Sequence, residues 1–78
     1  MMRLDTLLRL ANACQNDPSL LGNHLQNGVL NDLHSQLSET KELIELIGDD
    51  GSYPQLEIDL KAIQKAISIY ESLREIRQ

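Results

Sequence analysis

The chain reads as all-α, an antiparallel helical hairpin with an additional N-terminal helix. Three observations carry this reading. Apolar residues recur at spacings of three and four through three segments, and no segment alternates as a strand would. Two breaks rich in Asn, Asp, Gly and Pro separate those segments. The second break is short enough to fold two long helices back on each other. Residues 1–78 are therefore read as one small helical domain, with helices at about 2–15, 19–47 (weak at its front) and 53–77.

In residues 2–15, Leu4, Leu7, Leu8, Ala11 and Cys14 lie on one helix face, and Leu10 widens it. Asn16-Asp17-Pro18 ends this helix, because proline disfavours helix at the residue before it. Asp17 can then cap the next helix, with Pro18 in its first turn.

In residues 19–47, Leu33, Leu37, Thr40, Ile44 and Ile47 share a face, extended backwards by Val29 and Leu30 and broadened by Leu43 and Leu46. Gly22, Asn23, Asn27, Gly28 and Asn31 are poor helix formers, and Asn27-Gly28 is a turn signal. A break is expected within 22–31, with firm helix from about 30 to 47. Gly48 stands where a left-handed glycine closes a helix. Ser52 and Gln55 read as a capping box with Pro54 in the first turn, and Tyr53 as a hydrophobic staple.

Residues 53–77 carry two apolar stripes. Leu56, Leu60, Ile63, Ile67 and Tyr70 are spaced 4, 3, 4, 3, a heptad-like seam. Ile58, Ala62, Ala66, Ile69, Leu73 and Ile76 form a second stripe, centred about 125° away at 100° per residue. A two-helix hairpin covers one stripe. The other must be covered by residues 2–15, by a second copy, or by a different protein. The seam is expected to pack inside the hairpin against Leu33, Leu37, Ile44 and Ile47. The second stripe is assigned to a partner, because its two alanines let a foreign helix approach closely.

Composition narrows the function. A chain of 78 residues buries only ~60% of its unfolded surface, and its one cysteine excludes an internal disulfide. Such a chain gains stability from idealised helix packing or from another chain. Seven bases against twelve acids give a net charge of −5, the wrong sign for phosphate or anionic membranes. Residues 17–59 hold nine acids and one base, Lys41, either a solvated face or steering toward a basic partner. No apolar run exceeds two residues, and Asp5 and Arg9 interrupt any leader-like stretch, so a cytoplasmic protein is expected.

Nothing in the residues converges on catalysis. Cys14 lies on an apolar stripe, His24 and His34 are isolated, and Glu39, Glu42 and Glu45 read as a helix flank. The glycines lack phosphate-loop spacing, and Asp49-Asp50-Gly51 is too short for an EF-hand. No enzymatic activity, cofactor, metal or nucleic acid is expected.

Tyr53 after a short loop, then Lys61-Ala62-Ile63, Ala66-Ile67 and Ile69, resembles the C-terminal helix of the small needle co-chaperones of type III secretion systems. The match runs without gaps over about residues 50–70, roughly a quarter of the chain. The resemblance implies a cytoplasmic virulence chaperone. It would pair with a tetratricopeptide-like chaperone, stabilise it, and through it keep the needle subunit soluble before export. It also places Tyr53, Ala62, Ile63, Ala66, Ile67 and Ile69 on packing and partner faces. The chain departs from that pattern at its front, where 52 residues precede Tyr53. A homo-oligomer is expected when the protein is alone. The competing reading is a self-associating helical structural or adaptor protein, a coiled-coil bundle without a secretion client.

Overall fold

A computed structural model describes residues 3–47 and 54–77, with the backbone alone for residues 76 and 77. The order is α1 (Leu4–Asn16), a 3-10 turn (Pro18–Leu20), α2 (Leu21–Gln26), α3 (Val29–Ile47) and α4 (Pro54–Arg77). The protein is all-α, a hairpin of α3 and α4 with a further helix, α1, packed against it. Gly48, the Ser52 cap and Tyr53 fall outside the described residues.

α1 starts without a side-chain cap at Arg3, but Asp5 in its first turn complements the helix dipole. At Asp17 the backbone leaves the helix, with φ −135° and ψ 87°. The Asp17 carboxylate then accepts from the Ser19 N–H at 3.3 Å and the Ser19 hydroxyl at 2.6 Å. What Asp17 caps is thus a single 3-10 turn, after which α2 begins.

The break expected in 22–31 falls at Asn27-Gly28. Gly28 adopts φ +78°, a conformation side chains resist, and so closes α2. Its N–H donates to the Leu25 carbonyl at 3.2 Å, and its own carbonyl accepts from Asp32 N–H at 2.9 Å, opening α3. The segment read as one weak-fronted helix is therefore three pieces: turn, α2 and α3. The change of direction lets α2 fold against the hairpin instead of extending α3.

Helix directions follow from the grooves between them. Leu30 and His34 share a groove with Glu71, Arg74 and Glu75, so the start of α3 lies beside the end of α4 and the two run antiparallel. Leu8, Ala11 and Asn12 meet Ala62, Lys65, Ala66 and Ile69, while Gln15 meets Ser72 and Leu73. α1 therefore runs parallel to α4. At 1.5 Å per residue the 13 residues of α1 span about 20 Å against about 36 Å for the 24 of α4. One helix cannot cover the other, and the molecule is elongated, 41 × 20 × 19 Å.

The core sits where three layers meet. Leu7, Ala11 and Cys14 of α1, Leu21 of α2, Val29, Leu30 and Leu33 of α3, and Ile63, Ala66, Ile67 and Tyr70 of α4 form one buried cluster. It lies toward the α2 end of the hairpin, away from the link between α3 and α4.

Candidate functional site

A polar pair joins two helices in the interior. His24 of α2 and Tyr70 of α4 are both buried, and His24 Nδ1 lies 2.9 Å from the Tyr70 hydroxyl. The hydroxyl donates when Nδ1 carries no proton and accepts when it does. The rings meet edge to face, with centroids 5.9 Å apart and planes inclined at 63°. Burial pushes the Tyr70 phenol up to about 12, and the nearby Cys14 adds to the shift. The geometry ties α2 to the hairpin. It brings no second acid, base or nucleophile to an open cavity.

His34 is exposed beside Glu71, Arg74 and Glu75. Cys14 is buried in the apolar cluster. Among the described residues no group of three His, Cys, Asp or Glu side chains could hold a metal ion. No described helix is long and apolar enough to cross a membrane.

The hairpin seam spans two environments. Leu33, Ile63, Ile67 and Tyr70 are buried, and Leu37, Ile44, Leu56 and Leu60 are half-buried. Ile47, also assigned to this seam, is 37% exposed.

The second stripe of α4 is not open along its length. Its middle faces α1: Ala62, Ala66 and Ile69 line the groove that Leu8 and Ala11 enter, and Ala66 keeps only 2% exposure. Leu73 is half-buried beside Gln15, and the Ile76 side chain is outside the described residues. The small alanines do admit a close helix, but that helix is α1 of the same chain. At the other end of the stripe Ile58 is 59% exposed.

Leu43, Leu46 and Ile47 on the last turns of α3 and Ile58 on the second turn of α4 are the exposed large hydrophobics among the described residues. Leu46 shows 83% of its surface. Sequence periodicity read Leu43 and Leu46 only as a broadening of the α3 face. At 100° per residue Leu46 stands well away from the Leu33, Leu37 and Ile44 face, which accounts for its exposure. The His24–Tyr70 tie was equally hidden, since nothing local links positions 46 residues apart.

No family model, curated protein or solved structure matches the chain.

Proposed function

We propose that this chain is a non-enzymatic binding protein. Its role would be that of a type III secretion co-chaperone acting in the cytoplasm. It pairs with a tetratricopeptide-like chaperone, stabilises it, and through it keeps the needle subunit soluble before export. The observation that carries the binding role is the apolar end of the hairpin. Leu43, Leu46 and Ile47 on the last turns of α3 and Ile58 on the second turn of α4 are large hydrophobic side chains left exposed, which supports a surface that another protein covers. A repeat chaperone offers the extended concave surface that a slender hairpin fits. The secretion role rests on the residue pattern of α4 around Lys61-Ala62-Ile63 and Ala66-Ile67.

Co-expression tests it. A tetratricopeptide-like chaperone encoded nearby should be insoluble alone, and soluble and co-purified when made with this chain. The needle subunit should then join the pair as a monomer. A chaperone equally soluble without this chain, and never retained by it, would sink the co-chaperone role. A stable homo-oligomer with no heterologous partner would favour a self-associating adaptor.

A further inference from the structure

The seam between α1 and α4 is not filled. Two grooves, of about 220 Å³ and about 340 Å³, run along it. Leu8, Ala11 and Asn12 of α1 border the first and Gln15 the second, and Lys65 and Ile69 of α4 border both. Closely packed helices leave no such space. Beyond α1, residues 15–19 are all exposed, and the Asp17 carboxylate bonds to Ser19, two residues on. Turning the chain at that point strips no buried side chain.

Among the described residues, three of the eleven core side chains come from α1, namely Leu7, Ala11 and Cys14. The other eight belong to α2, α3 and α4, and the His24–Tyr70 pair ties α2 to α4. The rest of the chain therefore keeps most of the core and a polar tie when α1 lifts away, as a local opening requires. The charge under α1 also differs from that of the whole chain. Residues 60–70 of α4 carry Lys61 and Lys65 and no acid, in a protein of net charge −5. Both lysines are exposed, and the α1 residues that border the grooves with Lys65 include the neutral Asn12 and Gln15.

We propose that α1 is a displaceable lid. It swings out about residues 15–19 while α2, α3 and α4 stay folded, and a helix of a second protein takes its place on Ala62, Ala66 and Ile69. A few residues at the end of an element absorb such a hinge motion. The incoming helix repeats the apolar spacing of Leu4, Leu7, Leu8 and Ala11 and carries Asp or Glu where α1 has Asn12 and Gln15. Its tether gives α1 an effective concentration on the order of millimolar, so a newcomer needs an added attraction. The carboxylates supply it by pairing with Lys65, which Asn12 and Gln15 cannot do. The α1 of a second copy brings the same Asn12 and Gln15 and has no such advantage.

The lid rests on the reading of the chain as a binding protein. Cys14 reports on it, because it is the sole cysteine and is 0% exposed on the inner face of α1. The probes are two peptides of residues 3–16, both with Cys14→Ser. One carries Asn12→Glu and Gln15→Glu, the other Asn12→Lys and Gln15→Lys. A small aromatic disulfide reads the thiol of the full chain. In native buffer Cys14 should react at a rate that hardly changes with low urea, the mark of a local opening, and that rises steeply only through the unfolding transition. The glutamate peptide should bind the full chain at least about fivefold more tightly than the lysine peptide, and added salt should narrow the gap. Its binding should raise the reactivity of Cys14 at least about tenfold, because the bound peptide holds the lid open. Lys65→Glu, at an exposed position, should reverse the preference between peptides.

Three results overturn the proposal: Cys14 reacting with the full urea dependence of global unfolding, no binding of the glutamate peptide at millimolar concentration, or equal binding of both peptides. Binding that leaves Cys14 as protected as before also overturns it, by placing the peptide elsewhere. A dimer that excludes the peptide does so too, by showing the α1 of a second copy in the groove. If a tetratricopeptide-like chaperone co-purifies and Cys14 stays protected in that complex, the co-chaperone role stands and the lid falls. If the glutamate peptide binds and uncovers Cys14 but no chaperone is retained, the lid stands alone.

Discussion

Gly28 and Tyr70 carry more of the fold than their neighbours. Gly28 holds φ +78° with open space where a Cβ would stand, so Gly28→Ala meets no clash and pays only backbone strain. The expected loss is about 1–2 kcal/mol, read by urea denaturation. An unchanged midpoint would mean that the α2–α3 corner relaxes freely. Tyr70→Phe removes the hydroxyl that pairs with the buried His24 Nδ1 and should destabilise by about 1–3 kcal/mol. The phenol also sets a pH response. Its folded value is raised to about 12 from the ordinary 10.0, so the folded state holds the proton more tightly than the unfolded one. Its contribution is complete below pH 10 and fades as pH climbs toward 12. Helicity followed against pH should fall through that window in the wild type. Tyr70→Phe should fall less steeply there.

At the level of elements, α1 decides what the hairpin shows to solvent. α4 has two apolar stripes, and α3 can bury one. α1 takes the middle of the other because Ala62 and Ala66 leave room for its backbone to approach. Leu7→Ala empties a fully buried site and should cost about 2–5 kcal/mol by thermal or chemical denaturation. Ala66→Leu adds volume between α1 and α4 and should cost about 1–3 kcal/mol through overpacking. A neutral or stabilising Ala66→Leu would mean that α1 does not lie on this stripe. The 3-10 turn and α2 act as the corner that returns the chain from α1 to α3. Asp17 holds its first step and Gly28 its last.

For the whole molecule, the contest is between an apolar tip and an acidic surface. The tip favours association, and the net charge of −5 opposes it between like copies. In dilute low-salt buffer sedimentation should therefore show a monomer. Added salt screens the glutamates within roughly a Debye length, about 8 Å at physiological strength, and should let a weak dimer form. Dissociation on adding salt would contradict this balance, because it would mean that attraction between opposite charges holds the copies together.

Helix type and order were legible from residue spacing, because a period of 3.6 is a property of single segments. The all-α class, the break at Asp17 and the weak front of the second segment follow from Asn16-Asp17-Pro18 and Asn27-Gly28, whose backbone preferences act locally. The two stripes of α4 were equally visible, and so was the need for something to cover the second. Which chain covers it was not. That depended on α1 lying parallel to α4 and being little more than half as long, a relation between distant segments that no local pattern encodes. The same holds for His24 and Tyr70, brought together only because α2 turns back at Gly28. Ile47 looked like an interior position, Leu43 and Leu46 like a widening of the same face and Ile58 like part of the partner stripe, since periodicity records which face a residue is on and not whether anything lies opposite. Tertiary packing settled that by leaving the far end of the hairpin two layers thick where its other end has three.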